Sequence, residues 1–155
     1  MNFKNLIYIA AGVSFSIVIG AAVYEHMAVW PRAFKAVPAS LTMLQGEYGL
    51  NAEVFWKTIH PVTLLLLITT LVMSWKTSRK MNVLATLIGY VIILGITFTY
   101  FVPELLSITQ TAYADTVDAS LTKRGGTWTT LSIVRLFTLI GLAINYFLGL
   151  TKSND

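Results

Sequence analysis

Four apolar stretches dominate the sequence, and each is about as long as a membrane-spanning helix. A helix needs roughly 20 mostly apolar residues to cross the hydrocarbon core of a bilayer. The segments that meet this length are about 6–30, 54–75, 83–106 and 128–150. The connections between them are too short for a soluble domain, which needs at least about 50 residues. The sequence therefore predicts an all-α fold in which residues 1–155 form one integral membrane four-helix bundle.

The composition agrees with a membrane protein and excludes several other classes. Of 155 residues, 55% are hydrophobic and only 12% are charged, whereas soluble domains carry about a quarter charged residues. The chain has no cysteine, which excludes disulfides, thiolate metal sites and thiol nucleophiles. Its cations are divided between the two ends of the spans, so nothing favours a nucleic-acid partner. We expect the lipid bilayer to be the main partner.

The loops predict the orientation of the bundle. The cations on one side are Lys4, Lys76, Arg79, Lys80 and Lys152, and those on the other are Arg32, Lys35, Lys57, Lys123 and Arg124. The turn between spans two and three is short and dense in cations, whereas the opposite loops are longer and also acidic. Because cytoplasmic loops are enriched in Lys and Arg, we predict that both termini are cytoplasmic and that the chain is a multi-pass protein of the inner (plasma) membrane. Trp30, Trp56 and Trp128 at the outer ends, and Trp75 at the inner end, are predicted interfacial anchors.

The two outer connections differ in character. Residues 31–53 contain an amphipathic stretch, Ala39–Gln45, that predicts a short helix. Residues 107–127 end in Gly125-Gly126, and this pair predicts a break in the chain before span four.

Ionisable side chains lie inside the spans, near one level close to their outer ends. These residues are Glu25 and His26 on span one, His60 on span two, Glu104 on span three and Arg135 on span four. An ionised side chain in hydrocarbon costs roughly 3 kcal/mol or more, and such residues usually serve a function. Helical spacing places Glu25 on one face with Ser14, and turns His26 about 100° away. We therefore predict that Glu25 points into the bundle.

The same spacing predicts an outer-leaflet pocket. Trp56 aligns with His60, Thr97 and Tyr100 align with Glu104, and Trp128 and Ser132 align with Arg135. Pro61 and Pro103 lie beside this level, and a proline inside a helix frees a carbonyl one turn back. In membrane proteins such carbonyls are satisfied by neighbours or by water. The predicted catalytic residues are His60, Arg135, Glu104 and Glu25, with Tyr24, Trp56, Tyr100 and Trp128 as substrate-binding aromatic walls.

Three chemistries fit these residues. A metal site would use Glu25, His26, His60 and Glu104, because imidazole and carboxylate ligands suit Fe, Zn, Mn or Cu. A haem would bind between His26 and His60. A metal-free site would pair Arg135 with Glu25 or Glu104 and use His60 as acid or base. An ion pair that only fixes helix register is the structural alternative.

Several of these residues also resemble a known family. The matching elements are Tyr24–Pro31, Asn51–Trp56, Pro103–Leu106, and Trp128 followed by Arg135. In this layout the chain is similar to the anthrone-oxygenase-like family of small four-span membrane proteins. It departs from the family on span four, where Leu131 or Ser132 replaces a histidine, and His60 lies on span two instead. The resemblance implies oxygenation of a polycyclic or quinone-like substrate without an obvious cofactor.

The sequence thus favours a membrane-embedded oxidoreductase or oxygenase-like protein acting on a lipophilic small molecule. A non-catalytic small subunit or scaffold of a larger membrane complex is the alternative, and it would direct Arg135 or Glu25 outward to a partner chain. A channel or proton-coupled carrier would need a polar path through the inner half of the bundle as well. The substrate remains open, as does the choice between a homo-oligomer and a complex with another membrane subunit.

Overall fold

Four long helices make up most of the chain in a computed structural model that describes residues 3–152. They are α1 (Phe3–Ala33), α2 (Glu53–Met73), α3 (Lys80–Thr109) and α4 (Ala119–Thr151), and each is long and apolar enough to cross a membrane. Residues 3–152 contain no β-strand. The predicted all-α fold is therefore confirmed, and the described residues contain four helices that are long and apolar enough to cross a membrane.

The helices form a ring in which each packs against two neighbours. α1 contacts α2 and α4, and α3 contacts the same two helices from the opposite side. The main core lies in the inner two thirds of this ring. Its buried hydrophobic residues include Tyr8, Ala11, Phe15, Val18, Leu67, Val83, Tyr90, Leu139, Ala143 and Tyr146. This arrangement directs the inward faces of all four helices to one axis.

Polar side chains in the inner half of the bundle bind one another. The Tyr8 hydroxyl donates to the carbonyl of Tyr146 (2.5 Å), and the Tyr146 hydroxyl donates to the carbonyl of Tyr8 (2.9 Å). Asn82 and Asn145 exchange amide-to-carbonyl hydrogen bonds of 2.8 and 2.9 Å in the same way. These hydrogen bonds cross helix pairs and hold α1 to α4 and α3 to α4, whereas the buried Oδ1 of Asn82 has no hydrogen-bond partner among the described residues.

α1, α3 and α4 extend beyond the first residue of α2 and form a second, outer core. Trp30 stacks on Phe34 (ring centroids 5.8 Å apart) and packs edge-on against Trp128 (4.9 Å). The Trp128 indole also donates to the carbonyl of Phe101 (2.9 Å). Trp30 and Trp128 are only 7% and 3% exposed. The prediction that these two tryptophans are interfacial anchors is therefore wrong, because the helix extensions bury them.

The two outer connections are joined to each other above this core. The backbone N–H of Asp118 donates to the carbonyl of Val37 (2.8 Å), and the Gln45 amide donates to the carbonyl of Thr111 (2.9 Å). Ala39–Leu44 forms a 3-10 helix with Leu41 buried, as the amphipathic pattern predicted.

The fourth helix begins nine residues before the predicted start of span four at residue 128. Its N-terminus is capped by the Asp118 carboxylate, which accepts from the N–H groups of Ser120 (2.7 Å) and Leu121 (2.9 Å). Gly125 and Gly126 lie inside this helix, so the predicted chain break there is wrong. A Cβ on Gly125 would stand 2.8 Å from the Phe34 ring, so this glycine makes room for the outer core.

Two π-helical segments interrupt the long helices near their outer ends. They are Glu25–Val29 in α1 and Thr97–Phe101 in α3, closed by bonds from the Trp30 N–H to the Glu25 carbonyl and from the Val102 N–H to the Thr97 carbonyl. Each segment ends two residues before a proline, Pro31 or Pro103. A proline lacks the N–H for the α-helical bond and its ring displaces the carbonyl one turn back. The wider π turn accommodates this displacement, whereas Pro61 lies within an uninterrupted α-helix.

Substituting Gly125 by alanine tests the packing of the outer core. We expect Gly125→Ala to lower the free energy of unfolding by about 1–3 kcal/mol, because the aromatic cluster holds Phe34 against the added methyl group. Gly126→Ala is the matched control, since nothing lies within 4 Å of its Cβ position. That variant should be neutral or gain up to about 1 kcal/mol, the helix preference of Ala over Gly. Thermal unfolding in detergent measures both, and equal midpoints for the two variants would contradict the packing.

Candidate functional site

The α1 and α2 side of the site is built around His60. The Trp56 indole donates to the Glu25 carboxylate (2.9 Å) and stacks on the His60 ring, with centroids 5.2 Å apart and planes 22° from parallel. A hydrogen bond of 2.7 Å joins His60 Nδ1 to the hydroxyl of Tyr90, a fully buried residue of α3. Trp56 thus holds one face of the imidazole ring, and Tyr90 holds its Nδ1 atom. The Nε2 atom is therefore the ring nitrogen that can act on a ligand.

The α3 and α4 side is built around Arg135. Its guanidinium donates to the hydroxyls of Thr97 (3.0 Å) and Ser132 (2.9 Å), and it lies 4.2 Å from the centre of the Phe101 ring. A cation over an aromatic face is stabilised by the ring quadrupole, more so away from water. Arg135 is thus held by neutral groups on its own chain.

The two sides act on each other through charge. Arg135 interacts electrostatically with both Glu25 and His60 across the bundle. Within residues 3–152, no ion pair of 4 Å or less joins Arg135 to a carboxylate. We call this group the outer polar cluster, and its members are Glu25, Trp56, His60, Tyr90, Thr97 and Arg135. The predictions that Glu25 points inward with Ser14 and that Trp56 and His60 share a face are confirmed, since all four contact neighbouring helices.

Both π-helical segments contribute to the outer polar cluster. Glu25 is the first residue of one segment, and Thr97 and Phe101 are the first and last residues of the other. A π turn inside an α-helix is uncommon and occurs frequently at functional sites. The position of both segments at this level therefore marks the cluster as the candidate functional site.

Glu104 does not belong to this site. Its carboxylate binds Arg124 through two hydrogen bonds of 2.8 and 2.9 Å at the outer rim, and Arg124 also donates to Ser107 (2.5 Å). The predicted stripe of Thr97, Tyr100 and Glu104 assumed a regular α-helix. The π segment adds one residue to a turn and so rotates Glu104 by about 100° relative to Thr97. The predicted pairing of Glu104 with Arg135 is therefore wrong.

The predicted metal ligands are not brought together. His26 Nδ1 is hydrogen-bonded to the carbonyl of Ala22 (2.7 Å), one turn back on its own helix, and Glu104 is held by Arg124. Among the described residues, no group of three or more His, Asp or Glu side chains is placed to hold a metal ion.

The four aromatic residues predicted to line the substrate pocket lie in different parts of the structure. Trp56 belongs to the outer polar cluster, Trp128 is buried in the outer core, and Tyr24 and Tyr100 are 62% and 38% exposed on the outside of the bundle. Sequence reasoning missed Tyr90, the residue that orients His60. Its spacing of seven residues from Thr97 places both on one helical face and was the available signal.

Two surface cavities lie away from the cluster. One, of about 480 Å³, is at the inner ends of α1 and α2, and the other, of about 470 Å³, lies against the outer connections near Pro38 and Asp118. Neither cavity is lined by a member of the outer polar cluster, in which Tyr90 is fully buried and the other residues are half-buried.

Comparison of the chain with family models, with curated proteins and with solved structures finds no match. The resemblance to the anthrone-oxygenase-like family therefore stays a prediction, and the site is interpreted from its own chemistry.

Replacing Tyr90 tests whether it orients His60. We expect Tyr90→Phe to lower the free energy of unfolding by about 1–3 kcal/mol, because His60 Nδ1 then lacks its buried partner. The ¹⁵N chemical shifts of the His60 ring should change with it. Tyr100→Phe is the matched control, since Tyr100 lies on the exposed surface. Unchanged His60 shifts in Tyr90→Phe would show that the hydrogen bond does not control the imidazole.

Proposed function

We propose that this protein is a membrane-embedded enzyme of the oxygenase or oxidoreductase type, acting on a lipophilic quinone-like or polycyclic substrate. Its site is the outer polar cluster. The observation that carries the proposal is the state of Arg135. A guanidinium has five N–H donors, and contacts to Thr97 and Ser132 are the hydrogen bonds it makes within the described residues. An arginine with unused donors inside a membrane span is suited to bind the oxygen of a ligand that arrives from the lipid.

The neighbouring groups suit a reaction at a carbon that is conjugated with a carbonyl. In the proposed step, His60 Nε2 removes a proton from a CH₂ group that is conjugated with a carbonyl through an aromatic ring, and the negative charge that develops on the carbonyl oxygen is bound by Arg135. The resulting carbanion reacts with O₂. One oxygen atom becomes a new carbonyl on the former CH₂ carbon, and the other leaves as water together with the two hydrogens. Dioxygen is thus both the oxidant and the second substrate.

The remaining residues of the outer polar cluster position His60 and Arg135. Tyr90 and Trp56 hold the His60 ring, and Glu25 compensates the Arg135 charge from a distance that leaves the guanidinium free for substrate. A direct carboxylate partner would occupy those donors. Because Glu25 acts on Arg135 only from a distance, a ligand-binding role for Arg135 is favoured over an ion pair that only fixes the helix register.

The scaffold alternative fits less well. It requires Arg135 or Glu25 to face a partner chain, whereas both contact neighbouring helices of their own chain. The partners we propose are therefore the bilayer and a lipophilic small molecule, with no nucleic acid.

An activity measurement with two arginine variants tests this proposal. With anthrone as probe substrate, we expect purified protein to consume O₂ and form the corresponding quinone. Arg135→Gln should lower the rate about 100-fold or more, the effect of removing a donor to a developing oxyanion. Arg124→Gln removes the same charge at the outer rim and should retain activity. Equal loss in both variants, or none in Arg135→Gln, would refute the assigned role of Arg135.

We also propose that both termini face the cytoplasm of an inner (plasma) membrane, because the inner turn is short and basic. The absence of native cysteine makes this directly measurable. In intact cells, a membrane-impermeant maleimide should label Ala112→Cys in the outer connection and spare Lys76→Cys until the cells are opened. The reverse labelling pattern would show that the termini lie on the opposite side of the membrane and would contradict the proposed orientation.

A further inference from the structure

The inner end of the bundle carries a strong and one-sided charge. Its cations are Lys4, Lys76, Arg79, Lys80 and Lys152. All six acidic residues between residues 3 and 152 lie in the outer half or the outer connections, and the seventh, Asp155, is outside the described residues. Among the residues that the structure describes, cations therefore outnumber acidic side chains at this end of the bundle.

A cavity of about 480 Å³ opens among these cations, between the start of α1 and the end of α2. It is lined by Lys4, Val72, Met73, Trp75 and Lys76. Two ammonium groups therefore border an apolar floor. The Lys80 ammonium lies 3.7 Å from the centre of the Trp75 ring and holds the indole at the mouth of the cavity.

We propose that this cavity binds an anionic phospholipid of the leaflet that meets the inner turn. The phosphate lies between Lys4 and Lys76, and the first acyl-chain carbons lie on Val72 and Met73. Basic pockets between membrane helices recognise anionic headgroups in this way, and tryptophan favours the headgroup level of a bilayer. Val72 is 70% exposed, so its side chain is accessible to an acyl chain. This site is separate from the outer polar cluster and does not depend on the function proposed for it.

A lipid titration with matched lysine variants tests the proposal. The probe is phosphatidylglycerol with brominated acyl chains, titrated into the full chain in detergent, with quenching of Trp75 obtained as the difference from Trp75→Phe. We expect saturable quenching by this lipid and none by brominated phosphatidylcholine. Lys76→Gln should weaken binding about fivefold, and the double variant with Lys4→Gln about 25-fold. Lys76→Arg keeps the positive charge and should bind the lipid as the unsubstituted protein does. This result would show that a substitution at this position leaves the fold intact.

Two controls separate the cavity from general surface charge and from free phosphate. Lys152→Gln removes a cation at the same end but outside the cavity, and it should change affinity less than twofold. Glycerol phosphate should not displace the lipid. The proposal is overturned if Lys152→Gln weakens binding as much as Lys76→Gln, if phosphatidylcholine quenches equally, or if glycerol phosphate competes as well as the lipid does.

Discussion

The backbone disruption caused by two prolines underlies the arrangement of the outer half of this bundle. In hydrocarbon, nearly every backbone N–H and carbonyl must be satisfied within the protein, and Pro31 and Pro103 each prevent one α-helical bond. Both helices respond with a π turn just before the proline. These turns place Glu25 and Thr97 at the same level as Arg135. The chemistry of the site therefore depends on local backbone geometry as much as on the side chains it brings together.

This dependence explains which parts of the structure could be predicted from the sequence. Four spans follow from apolar length, and the contacts of Ser14, Glu25, Trp56 and His60 follow from spacing along regular helix. Glu104 lies beyond a π segment, so α-helical periodicity assigns it to the wrong face. The start of α4 could not be read either, because the role of Gly125 depends on Phe34, a residue distant in sequence that reaches it only after folding.

Two of the four arginines, Arg124 and Arg135, differ in the groups that hold them. Arg124 forms a two-point hydrogen-bonded pair with Glu104 at the rim, where such pairs are worth little because water competes for both charges. Arg135 lies deeper, where an unpaired charge costs most, yet it is held by hydroxyls and an aromatic ring. If stability were its purpose, a direct carboxylate partner would serve better. The cost of burying Arg135 in this form is understandable if its donors are needed for a ligand.

The outer core limits the routes by which the proposed ligand could reach the outer polar cluster. Trp128 precedes Arg135 by seven residues on α4, so it lies about 10 Å closer to the outer surface, and it is buried together with Trp30 and Phe34. The outer connections, joined to each other by backbone and amide hydrogen bonds, cover these aromatic rings. A water-soluble molecule approaching from that side meets a packed aromatic layer. The lipophilic substrate that we propose would instead have to approach from the lipid, between the helices, at the level of the Arg135 donors and the His60 imidazole.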